Sequence, residues 1–295
     1  MTLVKQVFNS ASSGSIPLLL DGAIGTLLLS RGIKSDSYAW MSHANILYPE
    51  FVKDVHSEYI SAGADIITTN TFRTNPAALY NSGFTSEHLV QTAVGLAKEA
   101  RKDFPHILLA GSNAPAEDCY QYKRNLTLNE LRNNHHKHID LLMSAGCDFI
   151  LNETQSHLDE IKIICQYCSE NNIPYVLSIF CTNELKLLSG EDLLSIMPII
   201  ASFSPVTIGF NCMHPDIFSK IMNSYIPVIP WGFYLNLGLG NYSDDKITNS
   251  LDESSYLKSI KMYLKYNPSF IGACCGSAPS HINVIREYVD ELYRN

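Results

Sequence analysis

Eight short apolar runs, each of β-strand length, recur along the chain and limit what it can fold into. They occupy residues 16–22 (IPLLLDG), 64–72 (ADIITTNTF), 106–115 (HILLAGSNAP), 148–155 (DFILNETQ), 174–180 (PYVLSIF), 205–212 (PVTIGFNC), 227–236 (PVIPWGFYLN) and 269–276 (SFIGACCG). Segments with apolar residues at helical spacing lie between them. Residues 49–63 put Phe51, Val52, Val55, Tyr59, Ile60 and Ala62 largely on one face. Residues 128–146 do the same with Leu128, Leu131, Ile139, Leu142 and Met143. Gly63 and Gly146 stand where helix C-caps are expected. An alternating βαβα order predicts a parallel sheet. Continuous apolar strands fit a sheet covered on both faces.

Eight such units in 295 residues match a TIM (β/α)8 barrel. An open, doubly wound sheet is the competing arrangement. The polar residues favour the barrel, because they gather at the C-terminal ends of the runs: Asp21, Asn70 and Thr71, Ser112 and Asn113, Glu153, Cys212, Tyr234 and Asn236, Cys274 and Cys275. In a barrel those ends share one mouth, where active sites form. We expect one barrel domain over 1–295, with 1–15 as an N-terminal extension.

Composition narrows the function. The net charge of −8, with no long basic block, argues against a nucleic-acid partner, which needs clustered Lys and Arg. No run reaches the roughly 18 apolar residues of a membrane span, and the N-terminus has no signal-peptide pattern. Eight scattered cysteines do not make a small disulfide scaffold. The expectation is a reduced, cytoplasmic protein whose paired cysteines are metal ligands or catalytic groups.

Strand six ends in Cys212 and strand eight in Cys274 and Cys275, so three sulfurs can meet across strand seven. Three thiolates suit tetrahedral Zn²⁺, which keeps its fourth position open when catalytic. His214 or His281 could close a Cys₃His site instead. The remaining cysteines, 119, 147, 165, 168 and 181, are expected as buried small hydrophobes; the C-x-x-C of Cys165 and Cys168 has no second pair. His135, His136 and His138 are expected to face solvent from a helix. The glycines of GLGN (238–241) lack the strand–turn–helix setting of a dinucleotide fingerprint, and there is no G-x-S-x-G elbow.

GFNC (209–212) and GACCGSAPSHI (272–282) resemble the two cysteine motifs of the zinc-dependent homocysteine S-methyltransferases. DGAIGT (21–26), YISAGADIITTNTF (59–72) and NETQSHLDEI (152–161) resemble that family's other signatures, in its order. The departures are Ala23, Ala273 and Ser277, and YLNLG (234–238) in place of Y-P-N-x-G; none removes a cysteine. The resemblance implies a TIM barrel with a zinc site at its mouth. It also implies transfer of a methyl group to homocysteine, giving methionine, with Cys212, Cys274 and Cys275 as zinc ligands and Asp21 and Glu153 holding the ammonium. The turn at Gly22 and Ala23 could take the substrate carboxylate through backbone N–H groups. Asn211 is expected to orient Cys212, and Asn70, Thr71 and Phe72 to line the mouth. Trp40, Tyr234 and Asn236 are candidates for the donor side, where an aromatic face suits a cation. A single-barrel chain favours S-methylmethionine or S-adenosylmethionine as donor, with betaine or a corrinoid or folate partner as alternatives. A structural zinc protein, a non-catalytic thiol-binding barrel, and a redox protein using Cys274 and Cys275 are the competing classes. An acid/base pair of Asp21 and Glu153 would leave the cysteines idle.

Overall fold

The computed structural model describes residues 3–12, 16–225, 227, 229–238 and 250–294. Helix α1 (Leu3–Ser12) precedes strand β1 (Leu18–Leu19), which leads into α2 (Ile24–Ser30), α3 (Ala44–Leu47) and α4 (Pro49–Ser61). Five β/α units follow: β2 (Ile66–Thr68) with α5 (Ser86–Ala100), β3 (Leu108–Asn113) with α6 (Leu128–Ala145), β4 (Phe149–Gln155) with α7 (Leu158–Glu170), β5 (Tyr175–Ile179) with α8 (Leu193–Ser202), and β6 (Thr207–Asn211) with α9 (Pro215–Ser224). Strand β7 (Trp231–Leu235) with α10 (Glu253–Leu264) and β8 (Phe270–Ala273) with α11 (Pro279–Arg294) complete the round. Each of the eight apolar runs contains one strand.

All strands are parallel, in the order β1-β8-β7-β6-β5-β4-β3-β2. The ends of that order meet, because Leu20 bridges Ile66 and the Asp21 N–H donates to the Ile66 carbonyl at 2.9 Å. The sheet is therefore a nearly closed barrel, as expected. Strand alternation divides the apolar side chains into two layers. One set, including Ile67, Leu109, Ile150, Leu177, Ile208 and Phe233, packs outward against the helices. The other, including Leu20, Ile66, Ala110, Phe149, Leu151, Val176 and Phe270, fills the barrel.

Helix α1 joins that inner layer. Val4, Phe8 and Ala11, one turn apart on one face, are buried, and the Phe8 ring meets Phe149 and Phe270 edge-on at centroid distances of 5.6 and 6.0 Å. Part of the segment expected as an extension is thus packed into the barrel floor.

Two helical faces differ from expectation. In α4 Val52, Val55, Tyr59 and Ile60 are buried, but Phe51 is 45% exposed. In α6 the buried stripe is Leu131, Asn134, His135, His138, Ile139 and Leu142, while Leu128 is exposed. His135 and His138 therefore face inward, not toward solvent. His135 Nε2 pairs with Glu160 Oε1 at 2.6 Å, and His138 bonds Asn113 Oδ1 and Thr74 Oγ1 at 2.8 Å each. His136 is half-buried and stacks on Tyr167. Gly146 ends α6 at φ 101°, a left-handed cap that suits glycine. No described helix is long and apolar enough to cross a membrane. Of the GLGN stretch, residues 239–241 lie outside the described residues.

Candidate active site at the barrel mouth

The C-terminal ends of the strands surround a cavity of about 700 Å³. The end of β7 sets the sulfur geometry. The Cys212 N–H donates to the Tyr234 carbonyl at 3.2 Å, and the Cys274 N–H donates to the Leu235 carbonyl at 2.8 Å. The two strand-end cysteines are thus hung on adjacent carbonyls of the strand between them. Cys212 Sγ lies 2.9 Å from Cys274 Sγ and 3.6 Å from Cys275 Sγ, and the vicinal pair is 3.9 Å apart. A tetrahedral site with metal–sulfur bonds of about 2.3 Å has sulfur–sulfur edges of about 3.8 Å. Two of the three separations are close to that, so the trio can hold a metal ion with little adjustment. Cys212 has φ 57°, a left-handed conformation uncommon for a non-glycine residue. The neighbouring sulfurs donate to Cys212 and pull its thiol below its ordinary range, while Cys274 and Cys275 are pushed up.

Neither candidate histidine joins the sulfurs. His214 caps α9 by accepting from the Asp216 N–H, and His281 bonds Ala278 N–H and the Leu251 carbonyl. Among the described residues the metal-competent group is the three cysteines.

Two carboxylates lie below them. Asp21, 1% exposed, accepts from the Thr68 N–H at 2.8 Å and from its hydroxyl. Burial raises its carboxyl well above the usual range, against the lowering effect of Thr68. Glu153 accepts from the Ser112 hydroxyl. Burial pushes it up to about 7, and the charge of Cys212 adds to this. Thr154 follows at φ 58°. Asn211 holds that bend: its Oδ1 accepts from the Thr154 N–H and the Ser178 hydroxyl, and its Nδ2 donates to Thr154 Oγ1. Its amide thus aligns β4 with β6 rather than bonding the cysteine beside it.

The first turn is tighter than its motif suggested. The Ala23 N–H already donates to Ser277 Oγ at 2.9 Å, so it is not free for a carboxylate. Gly22 lines the cavity, and a Cβ there would come within 2.5 Å of Ser277 Oγ and 2.6 Å of the Tyr59 hydroxyl. From the end of β2 and the turn after it, Thr68, Thr69, Asn70 and Phe72 line the cavity. Thr71 is instead fully buried behind it, bonded to the Ser112 carbonyl and Thr69. Asn70 also anchors the long first loop through the Met41 carbonyl and Asn45. That loop carries Trp40, at φ 47°, whose ring meets Phe72 edge-on at 6.1 Å. Tyr234 is deep, 2% exposed, with its ring on Phe270 and its hydroxyl near Glu153 and Ser178. Asn236 lines the rim and accepts from the Gly238 N–H.

The β3–α6 loop adds residues that no motif marked. Cys119, expected in the core, is half-buried on the cavity wall beside Asp118 and Tyr120. The Tyr120 hydroxyl donates to Cys212 Sγ at 3.2 Å. Cys147, Cys165, Cys168 and Cys181 are buried as expected.

Three thiols over the buried Asp21 and the half-buried Glu153, at the mouth of a barrel, can bind a metal and a cationic group side by side. Similar proteins match this chain along most of its length. The chain is 25% identical over 299 residues to homocysteine S-methyltransferase 1 of Arabidopsis thaliana, covering 90% of this chain and 91% of that one. It is 26% identical over 291 residues to betaine-homocysteine S-methyltransferase of Drosophila melanogaster, covering 86% and 87%. The metallated homocysteine methyltransferase MmuM from Escherichia coli superposes with a TM-score of 0.78 at 22% identity, over 96% of this chain and 99% of that one, a likeness of fold. The family model for homocysteine S-methyltransferases matches residues 18–289, from β1 into α11. With every strand of the barrel inside that match, the chain belongs to the homocysteine S-methyltransferase family and is a methyltransferase.

Proposed function

We propose that this protein transfers a methyl group from a small sulfonium donor, S-methylmethionine or S-adenosylmethionine, to the thiol of L-homocysteine, giving methionine. Cys212, Cys274 and Cys275 would hold Zn²⁺. The observation that carries the reading is the convergence of these three sulfurs from two strand ends into one cavity. Bound there, Zn²⁺ supplies the charge that deprotonates the substrate thiol, which is otherwise weakly nucleophilic at neutral pH.

The chain's own residues do the rest. Asp21 and Glu153 take the substrate ammonium. Each is costly to ionise alone in a buried site, and an arriving cation offsets that cost. A Glu153 carboxyl near 7 gives up its proton as the ammonium settles. The Gly22 turn borders the cavity where the substrate carboxylate would sit, with Ser277 bracing Ala23 behind it. Thr68 and Ser112 fix the two acids, and Asn211 fixes the bend that presents Glu153. Trp40 and Phe72 offer aromatic surface to a cationic donor at the rim, with Asn70 beside them. Tyr234 and Asn236 border the same cavity. Betaine is the second reading: its quaternary ammonium suits the same aromatic wall, and a betaine-using relative is among the similar proteins.

The test is an assay of zinc-loaded protein with L-homocysteine against S-methylmethionine, S-adenosylmethionine and betaine, following methionine. Cys212→Ala should lose both zinc and turnover. Full activity in that variant would overturn the reading.

A further inference from the structure

Among the side chains around the sulfurs, Tyr120 alone sends a hydroxyl to one of them in the described hydrogen bonds. It comes from the β3–α6 loop, and the loop is held firmly. The Ala116 N–H donates to Glu160 Oε1 at 2.8 Å, and that same oxygen pairs with the buried His135. The Glu117 carboxylate accepts from the Asn125 and Leu126 N–H groups, and the Glu117 carbonyl accepts from Arg73 Nη1 at 2.8 Å. The Tyr120 N–H donates to Asp118 Oδ1, and its ring rests edge-on against the fully buried Phe180 at 5.3 Å. The phenol is therefore aimed, not merely near.

Resting on the reading above, the site presents a selectivity problem. Three cysteine sulfurs and the substrate sulfur would share one divalent ion, and each is a nucleophile toward the same methyl group. Cys212 is 4% exposed, so little solvent is available to blunt it. We propose that Tyr120 is a positioning residue of the metal centre: by donating to Cys212 Sγ it draws negative charge from that sulfur, so that homocysteine and not Cys212 accepts the methyl group. In the productive step a lone pair on the homocysteine sulfur forms the new S–C bond. The donor's S⁺–C bond breaks with its electrons staying on the donor sulfur, which leaves as a neutral thioether. The same displacement at Cys212 would give S-methylcysteine and disable the site. A hydrogen bond to a charged acceptor is stronger than a neutral one and specific to the atom it reaches. The protection is therefore expected at Cys212 and not at Cys274 or Cys275.

The experiment uses zinc-loaded protein without homocysteine, treated with iodoacetamide, with alkylation of each cysteine followed by mass spectrometry. Tyr120→Phe keeps the ring on Phe180 and removes only the hydroxyl. It should speed alkylation of Cys212 roughly tenfold, the scale of one charge-assisted hydrogen bond, and leave Cys274 and Cys275 unchanged. In Co²⁺-substituted protein the same variant should shift the sulfur-to-metal charge-transfer band. Phe180→Leu, which keeps the hydroxyl and loosens its support, should raise the Cys212 rate less. An unchanged Cys212 rate in Tyr120→Phe would overturn the proposal, as would an equal effect of Phe180→Leu or X-ray absorption evidence that the phenol oxygen is itself a metal ligand. If the wild-type protein binds no zinc or makes no methionine, the functional reading fails. If it does both while Tyr120→Phe leaves Cys212 unaffected, only this inference fails.

Discussion

Replacing Glu153 with glutamine should stabilise the metal-free protein at alkaline pH and, by the same substitution, impair homocysteine binding. Burial carries the Glu153 carboxyl from its ordinary 4.5 up to about 7. Each pK unit corresponds to about 1.4 kcal/mol between the two protonation states. A raised folded-state value means that stability is fully present below about 4.5 and is lost as pH rises through 7. At pH 8 the wild-type protein therefore forgoes roughly 3 kcal/mol, and at pH 5 less than about 1 kcal/mol. Glutamine carries no charge at either pH and still offers an oxygen to the Ser112 hydroxyl. It also removes the charge that helps raise Asp21. The gain at pH 8 over pH 5 should be about 2–3 kcal/mol, or roughly 5–10 °C in thermal midpoint at about 2–4 °C per kcal/mol. Thermal melts of both proteins in EDTA across pH 5 to 8 measure it, and any pH-independent offset cancels in the comparison. With metal restored, loss of one charged partner should raise the homocysteine KM about 10–100-fold, from the roughly 1.5–3 kcal/mol of a charged hydrogen bond. A stability difference that is the same at pH 5 and pH 8 would refute the account of a destabilising, half-buried carboxylate.

Three other outcomes follow from the packing. Phe8→Ala should cost about 3–5 kcal/mol, as for other large-to-small core changes, seen as a lower thermal midpoint with turnover per folded molecule retained. His56 is fully buried with neither ring nitrogen paired among the described residues, and burial holds it down to about 4. Unfolding lets it take up a proton below 6.5, so it should cost the protein roughly 3 kcal/mol between pH 6.5 and 4; His56→Leu should flatten that acid limb in thermal melts. In Gly25→Ala the new Cβ would lie 2.2 Å from the outer ring carbon of Trp40. Displacing the indole should raise the donor KM and leave zinc content and the homocysteine KM unchanged.

The strands and the three cysteines were legible because each carries its information locally. An apolar run bounded by a turn reads as a strand, and a cysteine at its C-terminal end is placed at the mouth by the barrel alone. Asp21 and Glu153 were legible for the same reason. Thr71 was not, because the chain turns just past β2: the Thr71 N–H bonds the Thr69 carbonyl and its hydroxyl bonds Ser112 behind the wall. The claim of the Ser277 hydroxyl on the Ala23 N–H spans 254 positions and leaves no local trace. Cys119 and Tyr120 sit on a loop with no periodicity. By contrast, the burial of His135 and His138 could have been read: with Leu131 and Leu142 they follow the i, i+4, i+7, i+11 spacing of one helical face. Val4, Phe8 and Ala11 show a similar pattern ahead of the first strand.

The helix lodged beneath the barrel thickens a floor that the inner-layer side chains already close. On the proposed function, acceptor and donor would share the mouth, with Asp21 and Glu153 at the acceptor's end and Trp40 and Phe72 at the donor's. The amino acid would then enter ahead of the methyl carrier, and methionine would leave after the spent carrier. Steady-state product inhibition should reveal this compulsory queue, with homocysteine first in and methionine last out.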